Sequence, residues 1–318
     1  MILTVGRACT SIEGVAIIEN ILIDESFGAE NETELSIENL WKIKQCPHHY
    51  KSNLCMSSIR DSSNEISKIK NCQNSLVIDA TTISQNRNPN GLCEISERTG
   101  CHIVMSASLP NDLPSDPVLY LVDQLMFGIE ISNDQPKIKC GVISLNYSDN
   151  VKGWDVQLAA AAEAQKKCFE LCGGKPPILL NFNKIPKLFE VATKSLDKLK
   201  KAFEESPKHT IISGLDARVS TEECCDLLGK GAFLCFNTFG TSLCNEIQAK
   251  VPLDWENAGR VVSLVEKFGK RVLISHGIRQ KIHLTLGGGC GYSHIQSSVL
   301  DICKELGLGP EKIDLLCK

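Results

Sequence analysis

Apolar runs of strand length alternate along the chain with longer stretches in which apolar residues recur every three to four positions. That is the pattern of repeated strand–helix units around a parallel sheet. The strand-like runs are Val15 to Ile23, Ser75 to Ala80, His102 to Ala107, Cys140 to Leu145, Pro177 to Asn181, Thr210 to Gly214, Ala232 to Phe236 and Arg271 to Ser275. Helical periodicity is clearest at Gln157 to Leu171, Leu188 to Glu205, Thr221 to Lys230, Asp254 to Phe268 and Ser297 to Leu306. Ser220-Thr221-Glu222-Glu223 sets a hydroxyl ahead of first-turn acids, Pro252-Leu253-Asp254 opens the next helix, and Gly173-Gly174 and Gly307 mark helix ends. Because eight such units close a barrel, we expect one α/β domain over residues 1–318, a (β/α)8 TIM barrel, rather than two doubly wound halves. The polar stretch 45–74 is too long for a turn and is predicted to be a loop with helical content over the end of the first strand.

Composition narrows the function classes. The chain is 42% hydrophobic and 5% aromatic, so an aliphatic core is expected. A net charge of -4 gives no basic surface for nucleic acid, and lysines between Lys184 and Lys208 interleave with acids as on a solvated helix face. No apolar run reaches the roughly 20 residues that span a bilayer. Sixteen cysteines behind a start, Met1-Ile-Leu-Thr-Val, that lacks a basic, long apolar leader point to reduced thiols in a cytoplasmic protein. Cys46, His48, His49 and Cys55 could clasp a zinc ion, but their spacing matches no common zinc module.

A resemblance adds chemistry to this frame. Ser75-Leu-Val-Ile-Asp79-Ala-Thr81-Thr82, then Arg87, then Glu94-Ile-Ser96-Glu-Arg-Thr99-Gly100 and Cys101-His-Ile-Val104 resemble the second strand, helix and third strand of the phosphotriesterase family of amidohydrolase barrels. Ala159-Ala-Ala-Ala-Glu-Ala-Gln165, Leu215-Asp216, Phe236-Asn237-Thr238-Phe239-Gly240, Ser275-His276, Lys281 and Gly288-Gly289-Cys290-Gly291-Tyr292-Ser293-His294 continue it in order. The resemblance implies two metal ions, usually zinc, at the C-terminal mouth of the barrel, held by a His-x-His on strand one, a carboxylated lysine on strand four, a His each on strands five and six, and an Asp on strand eight. Paired metals make hydroxide at neutral pH and clamp a phosphoryl or carbonyl oxygen.

Carried over residue by residue, those positions fall on Ile18 and Asn20 around Glu19, on Ser144, on Asn181, on Gly214 and on Gly277. Ile has no lone pair, a serine hydroxyl cannot form a carbamate, and Asn is a weak neutral donor. The expectation is therefore a metal-free barrel, a pseudoenzyme that keeps a pocket for a small molecule or a partner, without cofactor, and able to form the homodimer frequent in the family.

Two other classes stay open. A divergent ester or phosphoester hydrolase or a lyase, with one rearranged metal or none, would use Glu19, Asp79, Asp216 and His276 converging near the mouth. A structural or interaction protein would have its mouth closed by apolar side chains. For Asp79 and Asp216 the blander expectation is backbone or arginine partners such as Arg87. A Cys235–His276 pair on adjacent strands is a further nucleophile option, though with so many cysteines chance proximity explains it as well. Gly287-Gly288-Gly289-Cys290-Gly291 reads more as a tight backbone path than as an anion cradle, and Trp154 and Trp255 belong to no stacking cluster in the sequence.

Overall fold

The computed structural model describes residues 2–4, 7–9, 15–130, 137–147, 153–182, 187–215, 218–242 and 251–317. Eight strands pair in chain order: β1 (Ala16–Glu19), β2 (Leu76–Asp79), β3 (His102–Ala107), β4 (Val142–Tyr147), β5 (Ile178–Phe182), β6 (Thr210–Ser213), β7 (Phe233–Phe236) and β8 (Val272–Ile274). Every neighbouring pair in this order is parallel. Helices follow the strands in turn: α1 (Ile59–Ile66), α2 (Pro89–Thr99), α3 (Pro117–Val122), α4 (Trp154–Cys172), α5 (Leu188–Ala202), α6 (Thr221–Gly229), α7 (Asp254–Phe268) and α8 (Leu300–Glu305). The arrangement is the (β/α)8 barrel that the alternation predicts.

Two-residue alternation along each strand separates two cores. Ile18, Leu76, Val104, Val142, Leu179, Ile211 and Cys235 meet inside the barrel, with partly buried Leu273 completing the ring. Their neighbours Ile17, Val77, Ile103, Ile143, Ile178, Ile212, Leu234 and Val272 pack outward against the helices, in the larger core. Each fully buried aliphatic side chain of this kind contributes roughly 1.5–3 kcal/mol. Side chains also bridge β1 and the end of β8: the Ile18 N–H donates to Ser275 Oγ at 3.1 Å, and the same hydroxyl lies 2.5 Å from the Ile18 carbonyl.

Element ends differ from the expectations where side chains capture backbone groups. The expected first strand, Val15 to Ile23, stops at Glu19, because the Ile21 N–H turns aside to Asp79 Oδ1 at 2.9 Å. Ile23–Asp24 instead pairs antiparallel with Cys55–Met56. β4 runs two residues further than expected, to Tyr147, which carries Asn146 to the rim beside Asn181 of β5. The 45–74 stretch contains the turn Pro47–His49, the short helix Lys51–Leu54 and α1, so helical content prevails there. Ser220 caps α6 as read: its hydroxyl accepts the Glu223 N–H at 3.2 Å, and Glu223 returns a bond to the Ser220 N–H at 2.8 Å. Among the described residues no helix is long and apolar enough to cross a membrane.

Candidate functional site

At the C-terminal ends of the strands a small open pocket lies between the inward-facing side chains. Five of the six positions singled out in the sequence, Ile18, Asn20, Asn181, Gly214 and Gly277, line it. The sixth, Ser144, is buried just beneath: its hydroxyl donates to the Ala80 carbonyl at 3.1 Å and accepts from Asn181 Nδ2 at 3.3 Å.

Four residues that sequence reasoning did not place at the mouth, Gln85, Asn146, Ser213 and Arg279, line it as well, with Phe182 and Asn237. A hydrogen-bonded chain crosses the opening. The Ser213 hydroxyl donates to Asn181 Oδ1, Asn181 Nδ2 donates to Asn146 Oδ1 at 2.9 Å, and Asn146 Nδ2 donates to Gln85 Oε1 at 3.2 Å. Gln85 Nε2 then donates to Glu25 Oε1 at 2.6 Å, and Arg279 Nη2 meets the same oxygen at 2.7 Å. Each link fixes which end of the next amide faces the pocket, so the mouth offers oriented neutral donors and acceptors with a guanidinium at its edge. Asn146 and Ser213 had a readable signal, since they lie on the pocket-facing side of their strands. Gln85 and Arg279 come from loops, where no strand period applies. Behind Phe182, Tyr147 and Trp154 pack at ring distances of 5.9 and 6.1 Å, an aromatic cluster that sequence spacing did not show.

The two glycines have lost more than a side chain. Gly214 has φ +82° and a Cβ there would sit 2.0 Å from the Phe182 carbonyl oxygen. Gly277 has φ +63° and a Cβ there would sit 2.3 Å from the Asn237 carbonyl oxygen. A neighbouring carbonyl occupies the space through which a His or Asp side chain would leave the backbone.

Of the candidate acids and base, Glu19, Asp79 and His276 do not converge on the mouth. Glu19 and His276 do meet, with Glu19 Oε1 2.7 Å from His276 Nδ1, but both are 1% exposed and neither lines the pocket. Glu19 points away from the side that carries Ile18 and Asn20, as two-residue alternation requires. Its carboxylate also accepts from Ser275 Oγ at 2.6 Å and from the N–H groups of His276 at 2.8 Å and Ile278 at 2.9 Å. Burial pushes this carboxyl up, but His276 and these hydrogen bonds outweigh it and hold Glu19 below the usual carboxylate range. His276 Nε2 accepts the Ile295 N–H at 3.1 Å, which assigns the ring proton to Nδ1 and leaves both nitrogens engaged. The pair ties β1 to the segment after β8.

Asp79 is fully buried, and its Oδ1 accepts from the Ile21 N–H at 2.9 Å and Thr81 Oγ1 at 2.8 Å. Among the described residues its Oδ2 has no hydrogen-bond partner, and burial raises the carboxyl to about 7. Arg87 does not bond to it; that guanidinium donates to the Ser106 carbonyl and to Gln124. Asp216 lies outside the described residues. Cys235 packs inside the barrel, while His276 is held by Glu19 and Ile295, so they make no nucleophile pair. In the glycine-rich segment the N–H groups of Gly287, Gly288, Gly289 and Gly291 are donated to carbonyls of Leu284, Thr285, Leu284 and His283. The segment is a tight backbone path: a Cβ at Gly287 would lie 2.1 Å from the Lys281 carbonyl oxygen.

An α/β barrel with a polar pocket at the C-terminal ends of its strands defines the class, since binding sites of such barrels are built from those ends and the loops beyond them. The sequence model of the phosphotriesterase family matches residues 34–318, and the chain belongs to that family. An N-acetyltaurine hydrolase of Rattus norvegicus is 27% identical over 308 residues, covering 91% of this chain and 84% of that protein. A phosphotriesterase-related protein of Nematostella vectensis is 21% identical over 301 residues, covering 89% and 83%. In three dimensions the chain is similar to a resiniferatoxin-binding protein from Rhodobacter sphaeroides, with a TM-score of 0.84 at 22% identity over 99% of this chain and 92% of that one.

The residues present do not fit the two-zinc centre that the resemblance implies. Zinc prefers thiolate, imidazole and carboxylate donors, whereas the pocket offers amides, a hydroxyl, an aliphatic side chain and two obstructed glycines. Among the described residues no group of three or more His, Cys, Asp or Glu is placed to hold a metal ion, Cys46, His48, His49 and Cys55 included.

Proposed function

We propose that this barrel binds a small polar molecule at its mouth and has given up the metal-dependent hydrolysis of its family. The observation that carries the reading is the identity of the mouth-lining residues: Ile18, Asn20, Asn181, Gly214 and Gly277 stand where His and Asp donors would be needed, beside the oriented amides of Asn146 and Gln85. An amide-bearing, anionic molecule is the ligand class that suits them. Asn and Gln side chains both donate to a carbonyl and accept from an N–H, and the Arg279 guanidinium stands at the edge in an ion pair with Glu25 that an anionic ligand would share. N-acetyltaurine, which the rat relative hydrolyses according to its name, has that chemistry: an acyl amide at one end and a sulfonate at the other.

Calorimetric titration with N-acetyltaurine, alongside a mass-spectrometric assay for released taurine with zinc supplied, tests the reading. Saturable binding that Asn146→Ala weakens, with no taurine released, is the expected result. Taurine release that a chelator abolishes would restore the hydrolase reading favoured by the relatives' names. A ligand bound only by the folded state must also raise the melting temperature; a screen of small amides and anions that never does so would favour a structural or interaction role.

A further inference from the structure

Two donors on the rim of the mouth converge on one oxygen. Gln85 Nε2 and Arg279 Nη2 belong to pocket-lining residues and lie 2.6 and 2.7 Å from Oε1 of Glu25, which does not line the pocket. A guanidinium N–H and an amide N–H aimed at a single point suit a carboxylate, sulfonate or phosphate oxygen. Here the chain itself supplies the anion.

Glu25 is placed so that its side chain can leave while its backbone stays. Its N–H donates to the Leu54 carbonyl at 3.1 Å, next to the antiparallel pair of Ile23–Asp24 with Cys55–Met56. The turn that follows is closed by its own bonds, from the Ser26 N–H to Asp24 Oδ1 at 2.9 Å and from the Ala29 N–H to the Ser26 carbonyl at 3.1 Å. The Arg279 and Glu25 side chains are 30% and 29% exposed, so water screens the ion pair and can replace it. Rotation about the side-chain bonds of Glu25 frees both donors without disturbing the barrel.

The same carboxylate sets the direction of the amide chain. Because Gln85 Nε2 is drawn to Glu25, Gln85 Oε1 is left to accept from Asn146 Nδ2 at 3.2 Å and from the Thr82 N–H at 3.0 Å. Another anion in the place of Glu25 would preserve that order through Asn146 to Asn181.

We propose that Arg279 and Gln85 form the anion subsite of the mouth and that Glu25 is its resident occupant, an internal competitor that the anionic end of a ligand displaces. The inference rests on the small-molecule reading of the mouth and adds which end of the ligand goes where, the sulfonate or carboxylate to Arg279 and Gln85, the amide to Asn146 and Asn181. A ligand anion that shared Arg279 would lie beside the Glu25 carboxylate, and like charges at that range repel. Glu25, on a rotatable and partly exposed stem, is the one that yields. A neutral amide gains nothing by displacing it, so Glu25 tunes the mouth for charge.

The two halves of N-acetyltaurine, ethanesulfonate and N-ethylacetamide, separate the ends. Each is titrated against the full chain at matched ionic strength, with the rise in melting temperature above each protein's own ligand-free value as the readout. Glu25→Gln and Glu25→Ala should each bind ethanesulfonate about three- to tenfold more tightly than the natural protein, and N-ethylacetamide to within about twofold of it. Combining Arg279→Gln with Glu25→Gln should remove the gain. Ethanesulfonate binding that is unchanged or weakened in both folded Glu25 variants would overturn the proposal. An equal gain for N-ethylacetamide would overturn it too, because the variants would then merely open the mouth. The two readings fail separately. Amide binding with sulfonate binding indifferent to Glu25 strikes the subsite and leaves the proposed function standing; Glu25-dependent sulfonate binding without amide binding keeps the subsite and strikes the amide ligand.

Discussion

Replacing Asp79 with Asn should change how stability depends on pH, in a direction fixed by the burial of that carboxyl. Burial raises Asp79 from 3.8 to about 7, outweighing the Ile21 N–H, the Thr81 hydroxyl and the nearby Arg87 charge. Below 3.8 the folded and unfolded chains both hold the proton, and the group is neutral in its effect. Between 3.8 and about 7 only the unfolded chain releases it, so stability falls as pH rises and the loss is complete above about 7. At 1.36 kcal/mol per pH unit that interval corresponds to about 4 kcal/mol. His283 works against this. Burial lowers its imidazole from 6.5 to about 4, so the unfolded chain gains a proton first on acidification, and stability is lost as pH falls through that window. The corresponding magnitude is about 3 kcal/mol. The two slopes oppose one another, and the natural protein should show a shallow profile between about pH 4 and pH 6.5. Asp79→Asn keeps an oxygen for Ile21 and Thr81 and removes one of the slopes. Urea unfolding of both proteins at about pH 4, 5.5 and 8 isolates the term as a difference. The Asn variant should gain on the natural protein by up to about 4 kcal/mol between the acid and alkaline ends. A difference that does not vary with pH would refute the assignment of a raised, buried carboxyl.

Two further substitutions probe the scaffold around the mouth. Gly277→Asp, which reinstates the family's residue type, should cost about 2–5 kcal/mol in denaturant unfolding from left-handed backbone strain and the collision with the Asn237 carbonyl, without drawing zinc into the mouth. Glu19→Gln should cost about 3–5 kcal/mol at neutral pH, because an amide N–H₂ would face donors that a carboxylate accepts. Glu19 is held below 4.5, so its contribution is present above 4.5 and lost as pH falls through the lower folded value; the acid limb of the stability curve should shrink in the variant.

Hydrophobic alternation carried most of the fold into the sequence. The strand–helix order and the α7 bounds are where the pattern placed them, and the Ser220 cap on α6 is formed by the residues that signalled it. Which side chains face the mouth was also legible, since Ile18 and Asn20 share a face that Glu19 cannot share. Asp79 has the backbone partner that the blander expectation gave it, whereas the capture of Glu19 and His276 by backbone N–H groups could not be read from residue type, because those groups are set by tertiary turns. Gln85 and Arg279 reach the pocket from loops, and Asp254 meets His294 across forty positions of sequence. Such contacts depend on how loops close rather than on any period in the chain.

Metal content per chain tests the account most directly. The protein would be purified without an affinity tag, equilibrated with excess zinc, desalted, and measured by elemental analysis against protein concentration. A mouth of amides, a hydroxyl, apolar side chains and two obstructed glycines predicts well below one zinc per chain, unchanged by Asn20→Ala or Asn181→Ala. Close to two zinc ions per chain, lost in those variants, would contradict it and mean that the barrel mouth is a binuclear hydrolase site after all.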